Sequence, residues 1–214
     1  MFAEFFTYWP DLLLVYLAFF IAVASPGPSN LMVIGTAMEQ GRKAGIILAL
    51  GVTTGSITWG ILSSIGVAAL IATSATALTL IKVLGGLYLL FLALRSARSA
   101  LAPSEMAMPQ AMASGLGVGR IYLRGLLMHL TNPKAILGWT AIIALGVRPE
   151  TPVAIVLVLL AGCFLISFSC NLGYAVLFST GTMVSGYRRF RRRAESVLAV
   201  FFGLAGFKLL TSSL

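Results

Sequence analysis

The chain reads as six long apolar runs separated by short polar stretches. They cover about Leu12 to Gly35, Ala44 to Ile71, Leu78 to Leu94, Gly125 to Val147, Val153 to Thr180 and Val197 to Ser212. At 1.5 Å of rise per residue, roughly 17–25 apolar residues cross a bilayer as a helix. The runs are apolar all round rather than along one stripe, so they do not read as surface helices of a water-soluble fold. They are also too long, and too little alternating, for the roughly ten-residue strands of an outer-membrane barrel. The expected fold is therefore all-α: a polytopic membrane protein with six transmembrane helices.

Composition agrees. Of the 214 residues, 59% are hydrophobic and only 10% are charged, with a mean hydropathy of +0.99. Soluble domains carry about 25% charged residues, so this chain lacks the polar groups to cover a water-exposed surface. Ala22-Val23-Ala24 resembles a signal-peptide cleavage site, but Glu4 and Asp11 precede it without any Lys or Arg. A signal peptide needs a basic front end, so the first run is expected to be a retained span.

The charges then assign sides. Fifteen Lys and Arg stand against six Asp and Glu, for a net charge of +9. Arg42 and Lys43 follow the first span, Arg95, Arg98, Arg120 and Arg124 flank the middle loop, and Arg188, Arg189, Arg191, Arg192 and Arg193 fill the last loop. These eleven lie in alternate loops, against two, Arg148 and Lys208, toward the opposite side. Lys and Arg concentrate on the cytoplasmic side of membrane proteins, which predicts both termini on the periplasmic side. The arginine run also resembles a nucleic-acid patch, but beside two spans it reads as a contact with anionic lipid, and no nucleic acid is expected.

Between residues 96 and 123 the composition shifts to Ala, Met, Pro, Ser and Gly. This predicts a cytoplasmic connector between two three-span halves, residues 1–95 and 124–214, within a single transmembrane domain over 1–214. With three spans in each half, any repeat between them must be inverted. A faint one is visible: Leu84, Gly86, Leu89 and Leu90 align with Leu204, Gly206, Leu209 and Leu210, in the third span of each half. Two inverted three-helix repeats are a common build for secondary transporters.

The first and fourth spans are interrupted at matching places, by Ser25-Pro26-Gly27-Pro28-Ser29-Asn30 and by Thr131-Asn132-Pro133-Lys134. Proline removes a backbone donor and clashes with the preceding turn. The groups it frees are costly in hydrocarbon unless they line a cavity or meet protein. A kink that merely shapes packing is the alternative for either one alone. Paired breaks, each with an Asn, point instead to a substrate site made by Pro26, Gly27, Pro28, Asn30, Asn132, Pro133 and Lys134. A lysine at mid-span costs roughly 2.5–3.5 kcal/mol on insertion scales, so Lys134 is expected to face a cavity, while Lys82 faces one or snorkels. Either cation suits a substrate carboxylate.

His129, the sole histidine, is a candidate for coupling or specificity; a buried histidine bonded to the backbone is the alternative. Asn171 and Tyr174, one turn apart, face a cavity or bond between helices. Gly51, Gly55 and Gly60 suggest close helix contact. Cys163 and Cys170 share one helix roughly 10 Å apart along its axis, too far for a disulfide, and no zinc spacing, P-loop, nucleotide fingerprint or nucleophile–base pair is present. No enzyme activity, resident metal or cofactor is expected.

Taken together these residues resemble the LysE/RhtB family of bacterial amino-acid exporters. The matching pieces are Pro26-Gly27-Pro28, Lys82 followed by Gly85, Gly86, Tyr88 and Leu89, and Gly125 with Asn132-Pro133-Lys134-Ala135. The resemblance covers nearly the whole chain. It implies a secondary exporter in the bacterial inner membrane, moving an amino acid or close derivative outward on the proton gradient. It also implies a role for Lys82. His129 and Asn171 depart from the residues expected at their positions, so no particular relative's substrate follows. The expected partners are an amino-acid substrate, protons and membrane lipid, with a homodimer left open. A thiol carrier or a metal-ion exporter is the alternative, though the spans lack the carboxylate and thiolate ligands a metal favours.

Overall fold

The computed structural model describes residues 2–24, 27–73, 75–101, 113–148, 150–179 and 181–211. These form seven α-helices and, among the described residues, no strand: α1 (Phe2–Ala24), α2 (Pro28–Thr73), α3 (Ala75–Leu101), α4 (Val118–Leu130), α5 (Pro133–Gly146), α6 (Val153–Leu177) and α7 (Gly181–Thr211). Windows long and apolar enough to cross a membrane lie at Thr7–Ala24, Pro28–Gly66 and Val153–Leu177. The helices α4 and α5 have 13 and 14 residues. Each is thus roughly 20 Å long, short of a hydrocarbon core of roughly 30 Å.

The six expected runs therefore map onto the helices with shifts. The first run is split, its front half in α1 and its back half in the start of α2. That start joins the second run with no loop between them. A single non-helical residue, Gly41 (φ 83°, ψ 171°), turns the chain, and Arg42 and Lys43 lie already on the returning helix. A side chain is strained at this positive φ, so glycine is what makes so short a turn possible. The fourth run is divided into α4 and α5 at Thr131 and Asn132. The arginine run 188–193, expected in a loop, is helical within α7. The irregular stretch of the connector is shorter than 96–123, because α3 continues to Leu101 and α4 begins at Val118.

Contacts fix how the helices lie. Helices α1 and α6 run side by side in the same direction. Tyr8 Oη donates to Glu150 O, Tyr16 Oη to Val158 O (2.7 Å) and Tyr174 Oη to Ala24 O (2.9 Å). Helix α3 packs antiparallel on α7, Gly86 against Leu210 and Leu90 against Gly206. The returning part of α2 lies on α4, where a methyl group at Gly51 would collide with Tyr122 O and one at Gly125 with Leu48 O.

Three apolar clusters result. One, at the end of the molecule holding Asp11 and Arg148, gathers Leu12, Val15, Phe19, Trp139, Ile143 and Leu159. Another, toward the Gly41 turn, gathers Val33, Leu48, Val52, Ile121 and Ala175. The third, with Leu89, Leu92, Phe202 and Leu209, binds α3 to α7.

Candidate functional site

Both breaks begin a new helix with the same local chemistry. Pro28 is the first residue of α2 and Pro133 the first of α5, where proline's missing N–H is no loss. Asn132 caps α5: its Oδ1 accepts from Lys134 N at 3.0 Å. At α2 the first intrahelical bond runs from Leu31 N to Gly27 O at 2.9 Å. The carbonyls that the breaks leave without helical partners are taken up by side chains. Asn30 Nδ2 donates to Val23 O at 2.6 Å, and Tyr174 Oη donates to Ala24 O. Across the molecule Trp59 Nε1 donates to Leu130 O at 3.1 Å, and Tyr88 Oη adds a bond to Lys134 O, in the first turn of α5, at 3.3 Å. These bonds remove much of the cost of an interrupted helix in hydrocarbon.

The two breaks touch. Asn132 Nδ2 donates to Ser29 Oγ at 3.3 Å, and Ser29 Oγ lies 3.2 Å from His129 Nδ1. Lys134 passes over Gly27, where a methyl group would stand 3.3 Å from Nζ and 3.4 Å from Cδ. A cavity of about 70 Å³ opens at this junction. Polar side chains reach it from four helices: Ser29, Asn30 and Ser56 on α2, His129 on α4, Lys134 on α5, and Ser167 and Asn171 on α6, with Asn132 at the α5 cap. Phe19, Leu92, Trp139 and Ile142 supply an apolar wall. Trp139 is held by its own bond, Nε1 to Ser56 Oγ at 3.1 Å. Among the described residues, none that lines the cavity is acidic.

Most residues singled out from the sequence meet here. Gly27, Asn30, His129, Asn132, Lys134 and Asn171 all line the cavity. Pro28 and Pro133 are exposed beside it; they start the helices without lining the hollow. Tyr174 bonds to the end of α1 and is also outside the lining. Pro26 and the Lys82 side chain lie outside the described residues, although Lys82 belongs to α3. The sequence reading passed over Ser56, Ser167, Trp139 and Phe19. Small hydroxyls on long apolar helices were the available signal for the two serines, because their neighbours offer hydrocarbon alone. Gly51, Gly55 and Gly60 do serve close contact, against Tyr122 and Leu126, against His129, and against Trp139. Cys163 is buried on α6, and among the described residues no group of His, Cys, Asp or Glu could hold a metal ion.

The comparisons with known proteins bear on what such a cavity serves. A family model described as LysE type translocator matches residues 20–213. The threonine efflux protein of Escherichia coli (strain K12) is 30% identical over 200 residues, covering 94% of this chain and 97% of that protein. The leucine efflux protein of Klebsiella pneumoniae is 32% identical over 206 residues, covering 95% and 93%. The membrane protein YahN of Escherichia coli (strain K12) is 30% identical over 192 residues, covering 90% and 85%. No solved structure matches the chain.

Proposed function

The chain belongs to the LysE type translocator family, and on that premise we propose that it exports an amino acid or amino-acid derivative across the bacterial inner membrane. The family's members are transporters, not enzymes. The proposed transport is secondary, proton-coupled and of the alternating-access kind, with the substrate held between two inverted three-helix halves. One observation carries this reading: the breaks of two separate spans meet at one cavity that polar side chains line within apolar helices.

Reciprocal contacts support the inverted halves. The repeat legible in the sequence pairs Gly86 with Gly206 and Leu90 with Leu210. Gly86 packs on Leu210, and Gly206 packs on Leu90 and Gly86. Aligning Pro28 with Pro133 pairs Gly27 with Asn132 and Ser29 with Lys134. Gly27 packs on Lys134, and Asn132 bonds to Ser29. Reciprocity of this kind is what a two-fold relation produces, residue i meeting j while j's counterpart meets i's. The proposed halves are residues 1–95 and 124–214, joined by the connector 96–123.

The proposed site divides its work by charge. The starts of α2 and α5 carry the positive ends of helix dipoles, and Lys134 adds a full positive charge. Together they suit a carboxylate. Gly27 lets Lys134 lie close to the other break. Pro26, Pro28 and Pro133 shape the breaks, Asn30 and Asn132 hold them together, and Lys82 is assigned as a second cation. His129 is assigned to proton coupling, a reading supported by its contact with Ser29. The excess of Lys and Arg at alternate ends of the spans supports periplasmic termini.

Counterflow in proteoliposomes with a panel of labelled amino acids tests this directly. The purified protein is expected to accelerate exchange of at least one amino acid, and Lys134→Ala to abolish it while still inserting and purifying as a folded species. Undiminished exchange by a folded Lys134→Ala variant would remove Lys134 from the site, and no exchange of any amino acid by the parent protein would remove the function.

A further inference from the structure

One buried group in the cavity has no protein partner. Asn171 is 2% exposed, lies on α6 and lines the cavity. Its Nδ2 donates to Ser167 O at 2.8 Å and lies 3.2 Å from Ser167 Oγ. Its Oδ1 has no hydrogen-bond partner. The amide cannot be turned around to cure this. Flipped, it would set Oδ1 against the Ser167 carbonyl, oxygen on oxygen. The backbone thus fixes which end of the amide remains available. An unsatisfied buried carbonyl costs roughly 1–3 kcal/mol, and such a group calls for a specific explanation.

The rest of the lining indicates what it accepts. Lys134 and the two helix starts concentrate positive charge at the breaks, whereas Asn171, among the lining residues on α6, carries a buried acceptor without a partner. A zwitterion has a matching pair of groups. Building on the export reading, we propose that Asn171 Oδ1 accepts the α-ammonium group of the substrate and that the preferred substrates are amino acids with uncharged side chains. A neutral amide acceptor suffices for an ammonium whose charge is balanced by the substrate's own carboxylate. It does not balance a second cation, and among the described residues no acidic one lines the cavity to do so. At about 70 Å³, the cavity has space for roughly five water-sized spheres, which also favours a small solute over a long basic one.

The test pairs a change in the protein with the same change in the ligand. In proteoliposomes, counterflow of a labelled neutral amino acid is competed by the unlabelled amino acid or by its 2-hydroxy analogue, which lacks the ammonium group. The parent protein is expected to prefer the amino acid about tenfold or more, as expected for a hydrogen bond to a charged group. Asn171→Leu is expected to weaken amino-acid binding and bring the two competitors to within about threefold. Asn171→Ser, which keeps a small acceptor, is expected to recover part of the preference. Arginine and lysine are expected to compete poorly with the parent protein. Equal weakening of both competitors in Asn171→Leu would mean that Asn171 only shapes the helix, and would overturn the assignment. Strong competition by lysine would overturn the substrate class. Either result would leave amino-acid export standing, whereas absence of any counterflow would remove export itself.

Discussion

The contact of Ser29 with His129 is where the proposed proton coupling would reach the breaks. Asn132 Nδ2 donates to Ser29 Oγ, and the orientation of that amide is set by the bond from Lys134 N to Oδ1. The Ser29 hydroxyl proton is then available to His129 Nδ1 when that nitrogen carries none. On a charged imidazolium both nitrogens are donors, so Ser29 would accept from both sides and its own proton would need another partner. Protonation thus reorganises a bond that ties α4 to the start of α2. His129→Gln keeps a polar side chain but cannot take up the proton. Counterflow is expected to persist in this variant, while the pH dependence of gradient-driven export flattens. A pH profile unchanged from the parent's would exclude His129 from coupling. His129, Asn132 and Lys134 were legible in the sequence because a polar group within an apolar run is conspicuous. Ser56 and Ser167 were not, because serine commonly satisfies itself within its own helix, as Ser64 does by donating to Gly60 O. Only the three-dimensional arrangement distinguishes a serine that supports Trp139 or Asn171 from one that does not.

Among the helices, hydropathy located the apolar stretches well and their boundaries less well. The loop between the first two runs vanished because Gly41 alone reverses the chain. The arginines of 188–193 joined α7 because arginine is a good helix former, and charge does not end a helix that emerges from the membrane. The small residues of α2 gave a clearer signal. Where α2 meets α4, backbone lies on backbone: a side chain at Gly51 would meet Tyr122 O and Leu126 N, neither of which can rotate away. Gly51→Ala is therefore expected to force the helices apart at a cost of about 1–3 kcal/mol. This would be read as a lower thermal midpoint in detergent and a smaller folded yield. Gly173→Ala, where a methyl group would meet nothing within 4 Å, is the matched control and should stay within about 0.5 kcal/mol of the parent. Equal behaviour of the two variants would contradict the close approach of α2 and α4.

Alternating access requires one end of the cavity to be held shut by something that can give way. At the end proposed to face outward, two things join α1 to α5 and the loop beyond it. Arg148 and Asp11 pair at 2.7 Å, but their side chains are 57% and 22% exposed. Such a pair contributes about 0–1 kcal/mol, enough to shift a two-state population by no more than about fivefold. Beneath it lies the cluster around Phe19, Trp139 and Ile143, with the Phe19 and Trp139 rings 4.5 Å apart and Trp139 bonded to Ser56. Removing a buried aromatic ring typically costs about 3–5 kcal/mol. In the proposed alternating-access cycle the apolar plug, rather than the ion pair, is therefore expected to act as the gate. A cysteine at Ala135, which lines the cavity, reports this when Cys163 and Cys170 are replaced by alanine and an impermeant thiol reagent is added from outside. Asp11→Asn is expected to change the labelling rate by less than about fivefold, and Trp139→Ala to raise it by on the order of a hundredfold. The reverse ranking would make the surface pair the gate. Labelling unmoved by either substitution would mean that the outer end opens elsewhere. On this proposal the same plug accounts for the apolar residues of α1 and α5 next to the breaks: each broken span would carry a seal on one side of its break and the proposed site on the other.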